Sequence, residues 1–360
     1  MCRQRQDRRP RRGRRGARRA ARGGTLSAAG RALLLVLGAC GGDAAEPPAD
    51  GAGAPVDEVA DEVADGGAVP VGADAASATQ VAAPAPADDG RIVWTGCDIS
   101  KTAYMAEAVA AYEATHDQEI IVTGGGATRG IRATVGGMSD LGGTCRHTLE
   151  DDFPEDEGGA LLTHVAWDAL VFFTHPDNEV DDISREQAKA VLRGEITDWS
   201  ELGGEPGRIK AVFRQQTVEG KLSGVGYMTR LLLFDDPTVD YTSDALFLRS
   251  SGPVEQFVEE TPGSFAVTGI SSALRRDVKR LSVEGVEAEP DTIASGDYPL
   301  VRPLYLVTRG EPTGPVLEFL DWMVSDAGQA VLEAEGTVSL AQGKDLAAAF
   351  PYWPDNVRNR

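Results

Sequence analysis

Three times after Arg91 the chain runs from an apolar segment through a loop rich in Gly, Ser and Thr into a segment with helical spacing of its apolar residues. The loops lie at 95–100, 124–130 and 220–226. At each one the hydrophobic period changes from strand-like to helix-like, and a chain built from such units must cover a sheet with helices. The alternation predicts an α/β domain with mostly parallel sheets over 91–360. Its first unit is a strand at 92–94 and a helix carrying Met105, Val109 and Tyr112, followed by a strand at 120–122. The run at 165–173 is almost wholly apolar and reads as a buried strand. Ser184 and Gln187 have the spacing of a capping box for a helix that Gly194 ends. Leu231, Leu232 and Leu233 lie in the helix after the third loop, 303–307 reads as a further strand, and 316–332 as a closing amphipathic helix.

The loops also suggest a chemistry. Amides at a helix start lack intrahelical acceptors and sit at the positive end of the helix dipole, so they bind anions without requiring a basic protein. Three converging loops would make a site for a small oxyanion. Glycine in a strand-to-helix turn also serves backbone geometry alone, so no single loop carries the reading. None matches GxxxxGK[ST] or GxGxxG, which leaves nucleotide binding unsupported.

Charge divides the chain into zones. Residues 1–39 hold 12 Arg and one acid, Asp7; the rest has 23 basic and 55 acidic residues, a balance of −32. A body that acidic repels phosphate backbones and anionic membrane surfaces, so nucleic-acid binding is not expected. After the arginines, an apolar run at 32–39 stops at Cys40, which reads as an export signal. Leu37-Gly38-Ala39-Cys40 resembles the bacterial lipobox, in which the cysteine is lipidated and becomes the mature N-terminus. A short buried helix with a chance cysteine is the other reading. Residues 41–90 hold 11 acids, six Pro and no Lys or Arg, too little apolar surface to offset the entropy of ordering, and are expected to form a disordered tether. The organisation expected is a leader at 1–39, a lipidated Cys40 with its linker to 90, and a binding domain at 91–360. No apolar run reaches the ~18 residues of a transmembrane helix.

Six segments, in order, resemble a known family. Gly194-Glu195-Ile196-Thr197-Asp198-Trp199 is similar to the G-x-I-x-x-W motif of the periplasmic phosphate-binding proteins of phosphate ABC transporters, in the type II periplasmic binding protein superfamily. The loop at 124–131, the segment 140–146, Pro262-Gly263-Ser264-Phe265, the stretch 298–305 and Ser325-Asp326-Ala327-Gly328-Gln329 follow the order of their counterparts there. The resemblance implies two α/β lobes joined by hinge strands at 165–173 and 302–307. Lobe 1 would take about 91–171 and 302–360, and lobe 2 about 172–301. It further implies a lipid-anchored extracytoplasmic protein that delivers a small oxyanion, phosphate foremost, to an ABC permease, with no catalytic role and no cofactor.

Ligand positions implied by the matching loops are Cys97, Asp98, Ile99 and Ser100 in the first; Gly126, Ala127 and Thr128 in the second; Cys145 and Arg146 in the third; and Arg214, Ser223, Gly224 and Val225 in the fourth. Cys97 and Cys145 stand where the family commonly has Ser, and Thr128 rather than Ala127 would supply the hydroxyl. Phosphate at neutral pH still carries a proton, so a phosphate site gains from an acceptor that a sulfate site must avoid. Asp98 would supply that acceptor or would be an ordinary helix N-cap.

Cys97 and Cys145 fall in ligand-side loops of one lobe of an exported protein, and a disulfide between them is expected, worth ~4 kcal/mol by loop entropy. The alternative is a pair of free thiols, making the chain a thiol-disulfide protein on the same fold; a receptor that senses the anion without transporting it is another. His116, His147, His164 and His175 show no metal spacing, and no GxSxG elbow is present. The acids at 150–157 read as a solvated loop rather than a calcium site.

Overall fold

The computed structural model of the protein describes residues 90–215 and 222–358. The leader at 1–39, Cys40 with its tether, and Gly220 and Lys221 of the third loop lie outside the described residues. In chain order the strands are β1 (Ile92–Gly96), β2 (Ile120–Gly124), β3 (Leu141–Thr144), β4 (Ala160–Thr174), β5 (Asp182–Ile183), β6 (Lys210–Arg214), β7 (Leu246–Leu248), β8 (Ser264–Gly269), β9 (Lys279–Arg280), β10 (Ser282–Val283), β11 (Val301–Arg309) and β12 (Val357–Arg358).

One strand joins two lobes. β4 has 15 residues, nearly all buried, which is why its sequence does not alternate. Its first part, from Ala160 to Ala169, pairs with β11, and its last part, from Leu170 to Thr174, with β8. The order β2-β1-β3-β11-β4-β8-β6-β7 therefore runs through both lobes. β1 is parallel to β2 and β3, and β6 to β7 and β8, as the strand–loop–helix units require. β11 lies antiparallel to both β3 and β4, and β4 antiparallel to β8, so each lobe is mixed rather than mostly parallel. The reason is the crossing: the chain leaves the first lobe along β4 and returns along β11 in the opposite sense. At the crossover the Tyr298 hydroxyl donates to the Leu170 carbonyl at 2.8 Å, and the Leu170 amide to the Leu300 carbonyl at 2.9 Å.

Several motifs of the resemblance prove to be braces. Gly194 ends the Arg185–Arg193 helix at φ 74°, with the Ser184/Gln187 capping box at the other end. Trp199 donates its indole N–H to the Gly263 carbonyl at 3.0 Å, so two motifs 64 residues apart meet. The pairing of β4 with β11 skips Val165, between Tyr305↔His164 and Leu304↔Ala166. That bulge leaves the Val165 carbonyl outside the ladder, and buried Gln329 donates to it at 2.9 Å. The closing helix is consequently two, Gly314–Met323 and Asp326–Ala334, broken where Ser325 accepts the Gly328 amide and donates to the Trp322 carbonyl.

Beside the bulge, His164 packs edge-on to Trp167 and Trp353 with ring centroids 4.6 and 5.1 Å apart, and its Nε2 bonds the Ala166 carbonyl at 3.0 Å. Burial pulls its pKa down to about 3, against that hydrogen bond. In the unfolded chain His164 takes a proton near pH 6.5, which the folded chain refuses. Stability contributed by keeping it neutral is therefore complete above pH 6.5 and is lost as pH falls from there toward 3. Thermal unfolding at pH 7.5 and pH 5 should show a smaller drop in His164→Phe than in the parent; an equal drop would mean His164 titrates normally in the fold.

Candidate functional site

The three glycine-rich loops converge at the cleft. Cys97 occupies the N-cap of the first helix, which starts at Asp98–Ser100 and continues through a π-turn at Lys101–Met105 into Ala106–Glu113. Gly126 caps Ala127–Val135 at φ 91°, a value that favours glycine, and its amide donates to the Gly96 carbonyl at 3.1 Å, tying two loops of lobe 1 together. From lobe 2 comes Gly224–Phe234, whose N-cap Ser223 accepts the Gly226 amide at 3.2 Å and Arg214 Nε at 3.3 Å. The lobes touch here: a Cβ on Gly224 would stand 2.6 Å from Cys145 Sγ and 2.8 Å from Ala127 Cβ. Residues of the second and third glycine-rich loops line one cavity, and the first loop is tied to the second by the Gly126–Gly96 and Gly125–Asp98 hydrogen bonds; amides in the first turn of each helix lack helical acceptors.

Arg214, at the end of β6, brings charge to that volume. It is 9% exposed, its Nη1 has no hydrogen-bond partner, and it forms no ion pair among the described residues. Burial pulls its pKa below the ordinary value, and Cys97, Asp98 and Cys145 oppose the drop. A cation removed from water without a counter-charge is costly unless an anion completes it. A Cβ on Gly126 would lie 3.9 Å from its Nη2, which places the guanidinium over the second loop.

Arg302 approaches from the hinge. Its Nη2 and Nε grip Asp168 Oδ2 at 2.6 and 3.0 Å, with both side chains fully buried, and its Nη1 has no partner. Burial works against its charge, yet Cys145 and Asp168 hold its pKa above the ordinary value. Sequence reading gave neither residue a site role. The available signal was a charge inside each of two largely apolar strands, Asp168 in β4 and Arg302 near the start of β11.

The expected disulfide is absent. Cys97 and Cys145 are free thiols with their sulfurs 3.2 Å apart, a hydrogen-bond distance rather than a covalent one. The bond from Cys97 pulls Cys145 down to about 7 despite burial, with Arg302 helping, while the same bond and burial push Cys97 well up. Cys145 is therefore the thiol that ionises first.

Other expected ligand residues are committed elsewhere. The Thr128 hydroxyl donates to the Leu222 carbonyl at 2.7 Å and accepts from the Leu222 amide and Arg146 Nη2, which uses its one hydrogen and both lone pairs. It is a clasp between the lobes, and only its amide is left for a ligand. Arg146 is held by Glu157 through both terminal nitrogens, at 2.9 and 2.7 Å, with both side chains fully buried. Glu157 thus departs from the solvated acidic loop expected of 150–157; despite burial, the Arg146 hydrogen bonds hold its pKa below the ordinary value. Ile99 and Val225 contribute buried side chains to the core, and Ser100 is buried with an unpartnered hydroxyl. Asp98 is not the cap; it is the first helical residue, and its Oδ1 accepts the Gly125 amide at 3.0 Å. No group of three or more metal-ligating side chains occurs among the described residues.

Comparison with known proteins agrees with this geometry. A family model described as a PBP superfamily domain matches residues 81–327. The phosphate-binding protein PstS of Bacillus subtilis is 29% identical over 261 residues, covering 71% of this chain and 82% of the relative. That of Borreliella burgdorferi is 24% identical over 258 residues, covering 70% and 91%. Among solved structures, a putative phosphate ABC transporter substrate-binding protein with bound phosphate from Clostridium perfringens superposes with a TM-score of 0.61 at 26% identity, covering 69% of this chain and 99% of that one.

Contact between the loops can be tested at Gly224, whose φ is not positive and whose helical position would otherwise favour alanine. Because the added Cβ meets Cys145 and Ala127 from the opposite lobe, Gly224→Ala should lower thermal stability by ~1–3 kcal/mol. An unchanged or raised melting temperature would show that the lobes do not touch there.

Proposed function

We propose that this chain, which belongs to the PBP superfamily, is an extracytoplasmic solute-binding protein that captures a small tetrahedral oxyanion, phosphate foremost, for an ABC importer. The observation that carries the reading is Arg214, a buried guanidinium with no carboxylate partner among the described residues, set between two helix starts, one from each lobe. The names of the relatives support phosphate as the anion. Lobes at about 91–171 with 302–360, and at 172–301, belong to the same reading, as do export, lipidation at Cys40 and a tether that carries the domain to its permease.

The anion would seat on Arg214 and on amides of the second and fourth loops, with Arg302 behind. Asp98 supplies the acceptor for the proton of monohydrogen phosphate: one carboxylate oxygen takes the Gly125 amide, and the other has no hydrogen-bond partner among the described residues. Sulfate, which has no proton to donate, would meet that carboxylate as a like charge.

Thermal unfolding of the full chain, stripped of carried-over anion by unfolding and refolding, tests the reading. Phosphate at 100 times its Kd should add about 2.7 kcal/mol, or ~5–10 °C, and sulfate should add nothing. Arg214→Gln should weaken phosphate binding roughly 10- to 100-fold, the worth of a charge-assisted hydrogen bond. No shift with any oxyanion would leave the fold without this function.

A second reading rests on the free thiols, which could serve redox chemistry. Cys97 and Cys145 are buried, so the binding reading expects neither to be alkylated in the folded chain. Rapid native alkylation of Cys145 that rises through pH 7, followed by peptide mapping, would favour the redox reading instead.

A further inference from the structure

The volume beside Arg214 is larger than one tetrahedral anion fills. A cavity of about 460 Å³ reaches outward from Gly126, Arg214 and Ser223, past Arg129 and Arg249. Five heavy atoms at the ~30 Å³ that a water occupies need about 150 Å³. The cavity falls instead in the ~300–1,000 Å³ range of sites for larger ligands.

Its charge is as specific as its size. Four arginines line it, in a domain that is otherwise strongly acidic. Arg132 is taken by Asp156 and Glu157, whereas Arg129, Arg214 and Arg249 have no ion-pair partner among the described residues. Arg214 is buried at the inner end with an unpartnered Nη1; Arg129 and Arg249 stand exposed at the outer end, one from each lobe. A ligand with one tetrahedral anionic centre would satisfy the first and leave the other two unused. Two or more linked centres would satisfy all three.

We infer that the site takes a phosphoanhydride anion, inorganic pyrophosphate or a short polyphosphate, with one phosphoryl group on Arg214 and the helix-start amides and the next between Arg129 and Arg249. This rests on the oxyanion reading above and names the ligand class of that site. Guanidinium groups are suited to it, because each offers paired N–H donors to two oxygens of a phosphoryl group. A phosphomonoester would place an uncharged organic group against the two outer arginines and gain nothing from them.

The test is titration calorimetry on the full chain with orthophosphate, pyrophosphate, tripolyphosphate and glycerol 3-phosphate at fixed ionic strength. Pyrophosphate is expected to bind at least tenfold more tightly than orthophosphate and glycerol 3-phosphate. In the double variant Arg129→Gln/Arg249→Gln, both exposed positions, that advantage should fall to within about twofold, with orthophosphate affinity little changed. Orthophosphate binding equal to or tighter than pyrophosphate binding would overturn the inference and leave the oxyanion reading standing. A pyrophosphate advantage that survives in the double variant, or glycerol 3-phosphate binding as tightly as pyrophosphate, would overturn it as well. Failure of all four ligands to bind would remove the oxyanion reading and the inference together.

Discussion

The ion pair between Asp168 and Arg302 sets the geometry on which the rest of the molecule depends. Each residue sits on one of the two strands that cross between lobes, facing the other in the ladder. Taking both charges out of water costs several kcal/mol per ion unless every remaining polar group is satisfied. Asp168 meets that condition: Oδ2 takes two Arg302 nitrogens, and Oδ1 takes the amide and hydroxyl of Ser271, at the start of a lobe 2 helix. One carboxylate therefore joins both crossing strands to the second lobe. Gly269 is required beside it, since a Cβ there would come within 2.5 Å of Arg302 Nη2 and 2.6 Å of Asp168 Oδ2. Arg302 has one nitrogen left over, and the neighbours that feel its charge are Cys145 and Cys97 at the base of the cleft. The hinge and the electrostatics of the site are consequently the same construction.

An anion site in so acidic a domain follows from range. Surface carboxylates act through water and salt, where the Debye length is about 8 Å, so their summed repulsion slows approach more than it weakens a bound ion. Buried donors act at contact in a lower dielectric and outweigh that repulsion locally. Two fully buried acids beside the cleft are neutralised by arginine, Glu157 by Arg146 and Arg132 and Asp168 by Arg302. Arg214 is buried there without an ion pair among the described residues, and part-exposed Asp98, which acts on it, likewise has none.

What was legible in the sequence was local, and what was missed depended on distant partners. Glycine loops before helix starts, the Ser184 capping box and the long apolar β4 can be read from neighbours in the chain, and the structure has them in place. The fate of Thr128 cannot, because the backbone that engages its hydroxyl lies 94 residues away. Arg146 looked like a ligand for the same reason that Glu157 looked solvated: each was judged without the other, though only 11 residues separate them. The closing helix reads as one because its apolar spacing continues through Ser325; in the structure a break there seats Gln329 on the bulged carbonyl of Val165. A disulfide is expected from compartment alone, which carries no distance, and at 3.2 Å the two sulfurs share a hydrogen bond and no covalent one.

The contacts across the cleft are weak enough for a ligand to matter. Thr128 with Leu222 and Tyr227 with His147 are hydrogen bonds between neutral groups, each worth about 0.5–1.5 kcal/mol net, and Tyr352 donates to the exposed carboxylate of Asp235. His147 stays neutral because burial and then Arg146 pull its pKa down to about 4, so the bond it shares with Tyr227 gains no charge in the neutral range. Arg275 with Glu335 adds a partly exposed ion pair, worth at most about 1 kcal/mol. Against these, separating the lobes would return Arg214 to water, which favours opening. An anion that neutralises Arg214 removes the term that opposes closure. A ligand shifts such an equilibrium only by its differential affinity for the two arrangements. Here that difference resides in one guanidinium and two sets of helix-start amides that the anion can reach together only while the lobes are in contact.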